Sequence, residues 1–449
     1  MRMKTALRAA GIATAGLVLA MTAGCSSGSG DGGDVALKYW LWDDAQLPAY
    51  QQCADDFAAA NPGITVEISQ YGWGEYWTNL ATQVAAGSAP DVWVDQASYY
   101  PQFVADKQIE DLQPYLDADP DAVDFDAYVS GLEDIWVIDG ARYGLPKDWD
   151  TIGLVIDKQA AADAGIDEAS LADLTWNPDD GGTFEEVIAK LTVDKAGHHG
   201  DDPAFDKGNV AVYGFLPEWA DGSQGQNLWG NLAQSNGFTY SDTNPFGTSF
   251  HYDSPKLAET IDWIAGLSDK GYAPAFDQQS TLSRHEVLLS GAGAMTSVGS
   301  FNQLMFQDRA ADYLFAPLPT GPEGRKSAIN GLSDAMYAGS KHKDEAWKWI
   351  TYLASADCQD VVGATGVIFP AVTSASEASV AARADLGLDA SAFTSYTTEP
   401  DSTFLIPINY HGTEMAQIVQ DAIQSVALGT NDATTALPDA NAKVNALFE

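Results

Sequence analysis

Positive charge is what this sequence has least of. Its 449 residues carry 22 Lys+Arg against 63 Asp+Glu, a formal net charge of −41. With no surplus of cations to neutralise phosphates, general nucleic-acid binding is excluded. Adhesion to anionic lipid headgroups through a basic surface is excluded for the same reason. Histidine is scarce as well, at six. No two histidines have His-x-x-x-His spacing, so the adjacent His198 and His199 read as a polar loop, not a zinc site. Asp117, Asp119 and Asp121 are spaced like the start of a calcium loop, but its Gly at the sixth place and Glu at the twelfth are missing. No Gly-rich phosphate loop, no Ser-His-Asp order and no reactive-cysteine motif stands out. No cofactor and no metal is therefore expected. What is present is a foldable chain: 45% of residues are hydrophobic and 13 are Trp, too apolar for disorder. The length suits two to three domains. Asp outnumbers Glu, and Asp favours caps and turns over helix interiors. The acidity reads as a solvated surface outside the cytoplasm, with dedicated cation binding as the alternative.

The first residues indicate the compartment. Arg2, Lys4 and Arg8 form a basic start, and Gly11 to Met21 an apolar stretch too short to span a membrane. This is a signal peptide, residues 1–24. Its end, Thr22-Ala23-Gly24-Cys25, resembles the bacterial lipobox, with Thr22 where Leu is usual. That resemblance implies lipid on Cys25 and a flexible Gly/Ser tether over 25–33. Removing the leader takes three positive charges and no negative ones, so the mature chain is more acidic still. Two cysteines then remain, Cys53 and Cys358. In an oxidising compartment an even pair suggests a disulfide; two separate buried thiols are the alternative.

Val35 to Trp42 is apolar and aromatic, a first strand. Tyr50, Cys53, Phe57 and Ala60 recur at helical spacing, and Asn61-Pro62-Gly63 stops that helix. Ile64 to Ile68 alternates as a second strand. Trp73 to Ala86 is a second helix, and Pro90 to Asp95 a third strand. Strands alternating with helices give an α/β fold with a mostly parallel sheet. In such sheets ligands sit beyond the carboxyl ends of strands. That rule singles out Trp42, Asp43 and Asp44 after the first strand, and Asp95 and Gln96 after the third. Residues 198 to 250 differ in texture, being rich in Gly, Asn, Asp and aromatics with few periodic runs.

Several segments together resemble the extracellular solute-binding proteins of ABC sugar importers, the two-lobed kind related to maltose-binding protein. They are Phe57 to Val66 (FAAANPGITV), Leu80 to Val92 (LATQVAAGSAPDV), Tyr143 to Leu154 (YGLPKDWDTIGL), Gly291 to Phe301 (GAGAMTSVGSF) and Ser340 to Gln359 (SKHKDEAWKWITYLASADCQ). The likeness covers essentially the whole mature chain in the right order. It implies a periplasmic-binding-protein-like fold with a central cleft and three crossings between lobes. One lobe would be 34–149 plus 316–352, the other 150–315 plus 353–449. It also implies a carbohydrate ligand, ABC importer permease subunits as partners, and a place on the outer face of the cell membrane, held through Cys25.

A sugar needs flat aromatic platforms for its CH faces and planar polar groups for its hydroxyls. The candidates are Trp42, Asp43 and Asp44; Asp95 and Gln96; Lys147, Asp148 and Trp149, with Asp150 following; Trp219 beside Glu218; and Ser300 and Phe301. Asn330, Gly331 and Tyr410 are weaker entries. Each has a bland alternative. Trp40 and Trp93 are assigned to the core. Trp42 joins them unless the strand ends near Leu41. Phe301 could pack inward, and Lys147 could serve only a salt bridge. Trp73 and Trp77, one helical turn apart, either pack the helix or line the cleft, with core the better fit for Trp77. The rival class is a secreted, lipid-anchored glycoside hydrolase, which also uses Trp and paired carboxylates. No local signature singles out such a pair, so the reading stays with a binding protein and no enzyme.

Overall fold

A computed structural model describes residues 34–219, 222–279 and 283–449. Residues 1–33, where a signal peptide, a lipidated Cys25 and a tether were expected, lie outside the described residues. Among those described, no helix is long and apolar enough to cross a membrane.

The first strand, β1 (Val35–Leu41), buries Leu37, Tyr39 and Leu41 on one face, the period-two pattern of a pleated strand. The helix Leu47–Ala60 returns over it, burying Tyr50, Cys53 and Phe57. The side chain of Asn61 donates to Phe57 O at 2.9 Å, and Gly63 takes φ +91° to reverse the chain. β2 (Ile64–Gln70) then pairs in parallel with β1, as does β3 (Val92–Gln96), whose residues are all buried.

β4 (Leu145–Asp150) and β5 (Ile152–Asp157) follow one another with only Thr151 between them, yet lie in different sheets. β6 (Met295–Gly299) and β7 (Tyr313–Pro317) flank β5 antiparallel, forming a three-stranded sheet. β8 (Ser327–Met336), β9 (Phe369–Pro370) and β10 (Thr403–Leu405) belong with β4. The larger sheet has seven strands, ordered β9-β4-β8-β3-β1-β2 with β10 beside β8. Two hydrophobic cores follow from the two sheets. One gathers Tyr39, Trp93, Phe57 and Trp349; Tyr39 and Trp349 meet edge to face at 5.7 Å. Burying each such ring stabilises by about 1.5–3 kcal/mol. The other gathers Phe184, Phe215, Trp263 and the apolar faces of the helices Pro255–Asp269, Gly412–Ala427 and Ala433–Asn445.

Trp93 is in the core as expected, whereas Trp40 is half-buried with its ring 4.6 Å from Tyr71. The chain passes from the larger sheet to the three-stranded one at Thr151, whereas the sequence reading sets the boundary at 149/150. The other two crossings do not fall at 315/316 and 352/353. Tyr313–Pro317 stays with the three-stranded sheet through its ladder to β5. The helix Ala356–Gly363 and β9 stay with the larger sheet, because a disulfide joins Cys358 to Cys53 and β9 pairs with β4. The helix Thr373–Asp385 packs there too, and its buried Arg383 donates to the carbonyls of Gly366 (2.7 Å) and Val367 (3.3 Å).

Candidate functional site

Strand ends build the first wall of a cleft. β1 stops at Leu41, which frees Trp42 from the pleat. The Trp42 ring packs against Trp73 at 5.2 Å and Trp77 at 5.5 Å, and Trp42 and Trp73 both line a cavity of about 260 Å³. Trp77 stacks on Tyr99 at 3.9 Å and does not line this cavity. Asp43 does line it. Its carboxylate is held in place: Oδ1 accepts from Ala45 N and Oδ2 from Gln46 Nε2, both at 2.9 Å. Burial pushes this carboxyl up from its ordinary value, against the pull of those donors.

Behind Asp43 runs a buried chain of polar contacts. Gln46 Oε1 accepts from Lys147 Nζ at 2.9 Å, and the same ammonium pairs with Asp148 at 2.9 Å and sits 4.2 Å over the Tyr50 ring. Burial alone would lower the Lys147 pKa, but Asp148, Tyr50 and Asp334 around it hold it above the ordinary lysine range. Lys147 is therefore a charged structural group, 2% exposed, and does not line the cleft. Asp148, 1% exposed, is its partner. Trp149 is buried and stacks on Phe369 at 4.8 Å. The residue of this strand that lines the cleft is Asp150, which accepts from Gln226 Nε2 at 2.7 Å and Asn330 Nδ2 at 3.4 Å. Burial, then the Asp148 charge, pushes its carboxyl well up.

The same one-residue offset recurs. Asp95 is fully buried and Gln96 takes the place at the cleft. Asn330 and Leu332 line the cleft, so Gly331 between them faces away; a Cβ there would sit 3.2 Å from Ile135 Cδ1. Ser300 is buried, with its N–H donating to Thr151 O at 2.9 Å, while Phe301 lines the cavity. Asp44 is exposed and outside the lining. Trp219 lines a neighbouring cavity instead, and Tyr410 lies in a separate depression beside His411 and Phe448.

The second wall comes from the loop that carries Ser223, Gln226 and Asn227, together with Glu218. Gln224 (φ 53°) and Gly225 (φ 83°) turn this loop. Asn231 then ties it down: its amide donates to Gln226 O at 2.6 Å and its Oδ1 accepts from Ala328 N at 2.6 Å. Sequence reasoning named Glu218 but missed Ser223, Gln226 and Asn227, since a loop held by side-chain amides leaves no periodicity. Asp150 was within reach, because in a strand it must share a face with Asp148 or replace it where the sheet ends. Within the cleft, Asn330 Oδ1 is buried with no partner among the described residues. A ligand donor would satisfy it.

A cleft between two α/β bodies, walled by aromatic rings on one side and amides and carboxylates on the other, defines a class built to capture a small polar solute. The sequence pattern of the bacterial extracellular solute-binding proteins matches residues 52–387. The chain belongs to that family and works outside the cytoplasm. It is 23% identical over 439 residues to a Brucella abortus (strain 2308) protein named as a binding protein, covering 97% of this chain and 98% of that one. Its fold is similar to that of Mycobacterium tuberculosis UspC, with TM-score 0.71, 24% identity and coverage of 92% and 100% of the two chains. It is also similar to the ABC substrate-binding protein Lmo0181 of Listeria monocytogenes in complex with cycloalternan, with TM-score 0.78, 19% identity and coverage of 92% and 98%.

Proposed function

We propose that the protein captures a sugar or oligosaccharide in this cleft by closure of its two bodies, and hands it to the permease of an ABC importer without covalent chemistry. The observation that carries the reading is the pairing of Trp42 and Trp73 with Asp43, Gln96, Asp150 and Asn330 around one cavity. Rings suit the CH faces of a sugar, and each carboxylate or amide can engage adjacent hydroxyls. The family membership and the cycloalternan-bound neighbour support it. Closure would turn on the crossings near Thr151 and Ser327, where Ile152 N donates to Ser327 Oγ at 2.9 Å. The lobes are 34–150 with about 327–385, and the rest, with β10 (Thr403–Leu405) paired to the start of β8 at the crossing. Cys25 carries the lipid that holds the protein at the membrane.

The test is a thermal-shift screen of mono- and oligosaccharides followed by calorimetry. A sugar at a hundred times its Kd stabilises the protein by about 2.7 kcal/mol. A panel in which no carbohydrate raises the melting temperature rejects the reading. Release of reducing sugar from a bound oligosaccharide would reject the absence of catalysis. Cys25→Ala should move the protein from the membrane fraction to the medium.

A further inference from the structure

The charge of the cleft is one-sided. Three carboxylates line it, those of Asp43, Asp150 and Glu218, and among the described residues no Lys, Arg or His does. Glu218 is matched by Arg284, which reaches it from outside the lining. Asp43 and Asp150 form no ion pair among the described residues. Lys147, the cation behind this wall, is engaged by Asp148 at 2.9 Å and donates to Gln46 Oε1, so it is turned away from the cleft. Both carboxylates accept only from neutral groups: Asp43 from Ala45 N and Gln46 Nε2, Asp150 from Gln226 Nε2 and Asn330 Nδ2. Amides hydrogen-bond a carboxylate but do not cancel its charge. These bonds also occupy the amide donors, and what they leave over is an acceptor. Asn330, 2% exposed, keeps its Oδ1 without a partner among the described residues.

We propose that the ligand is a protonated amino sugar, its ammonium bound where Asp150 and Asn330 meet. The inference rests on the carbohydrate reading above and names the substrate more narrowly. Closing the cleft on a neutral sugar would seal two carboxylates away from water with no countercharge, which is unfavourable. A cation removes that penalty. An ammonium also brings up to three donors, for the Asp150 carboxylate and for the unpartnered Asn330 Oδ1 beside it, and such charge-assisted bonds are the stronger kind. Asp43 adds to the negative potential of the same lining. Burial pushes both carboxyls up from their ordinary value, and a bound cation would draw them back down. The rings of Trp42 and Trp73 favour the same ligand, since an aromatic face attracts positive charge as well as the CH groups of a sugar.

Calorimetry at pH 7 tests this with matched triplets in which only the 2-substituent changes. They are glucose, glucosamine and N-acetylglucosamine, their galacto and manno counterparts, and cellobiose with the glucosamine disaccharide and its di-N-acetyl form. Within the series that binds, the amine should bind roughly tenfold or more tightly than both its hydroxyl and its N-acetyl partner. Asp150→Asn, which keeps an acceptor for Gln226, should bring that ratio toward one while the neutral sugar still binds. Asp43→Asn should lower the ratio by less, and it serves as the second variant if Asp150→Asn does not melt as a folded protein. A neutral or N-acetyl sugar bound as tightly as its amine, or a ratio unchanged in the folded variants, would overturn the amino-sugar assignment alone. Binding by no sugar in any form, with or without binding of spermidine, would overturn the carbohydrate reading and the assignment with it.

Discussion

On the side of the seven-stranded sheet, the groups behind the cleft are ionisable and out of water. Lys147, Asp148, Asp95 and Asp334 are each 2% exposed or less. On the opposite side the loop from Ser223 to Asn227 is held by neutral amides, with Asn231 bridging Gln226 O and Ala328 N. Charges can be buried only where rigid geometry keeps their partners in place. A sheet supplies that, and a loop supplies adaptable hydrogen bonds instead. The first wall should therefore be costly to perturb and decisive for affinity, the second cheaper to perturb and more permissive.

The largest effect should come from Lys147→Met. It leaves the buried Asp148 carboxylate and Gln46 Oε1 without their cation. We expect a loss of about 3–5 kcal/mol in urea unfolding. A loss under 1 kcal/mol would show that the first wall is not built on charge. Next is the double change Cys53→Ser with Cys358→Ser. The disulfide ties the helix Leu47–Ala60 to Ala356–Gly363 across 305 residues of chain. Its removal should cost about 2–4 kcal/mol, read as a lower melting temperature with ligand affinity little changed, since neither cysteine lines the cleft.

A third effect is pH dependence, and it too belongs to the first wall. Burial pushes the Asp95 carboxyl up to about 8, and that of Asp334 up to about 7 against the pull of Lys147 and the Tyr39 hydroxyl at 2.7 Å. An unfolded chain releases these protons near pH 3.9. Between there and pH 7–8 the folded state holds protons the unfolded state has lost, so these groups make stability fall as pH rises and add nothing below pH 4. Asp95→Asn, which stays uncharged, should flatten the decline and raise stability at pH 8 by about 1–3 kcal/mol. Chemical unfolding from pH 5 to 8 measures it. An unchanged slope in the variant would assign the pH dependence elsewhere.

The same contrast explains what could be read from the chain. The α/β alternation over 35–96 was legible because apolar spacing and Asn61-Pro62-Gly63 act locally. Trp42, Asp43 and Gln96, which line the cavity, stand where the rule that ligands lie past strand ends points. Asp95, Asp148, Trp149, Ser300 and Gly331 do not line the cavity although residues one or two positions away do, because the strand-end rule locates a site but not which face of the pleat meets it. The boundary at 352 was misplaced although Cys53 and Cys358 stood in the sequence: a disulfide between them would keep the helix at 356–363 with the first sheet. Gln226 and Asn227 carry no local signal. Their loop is fixed by Asn231 reaching β8, a contact 97 residues away in the chain.

The smallest expected effect in free energy tests the comparison directly at the ligand. Trp42 and Phe301 line the same cavity from opposite bodies. Trp42 is braced by Trp73, Tyr76 and Trp77 within 5.5 Å, so its ring is presented to a ligand without further ordering. Truncating a braced platform removes a contact the ligand obtains at little entropic cost. Trp42→Ala should therefore weaken binding of the best carbohydrate by about 1–2 kcal/mol, ten- to thirtyfold in Kd. Phe301 follows directly on a strand end and lies against Gly299, where a Cβ would overlap its ring. Phe301→Ala lets that segment relax and should cost less, about 0.5–1 kcal/mol. Calorimetry of the two variants against one sugar decides. If Phe301→Ala costs more than Trp42→Ala, affinity comes mainly from the second body, and the charged wall serves stability alone.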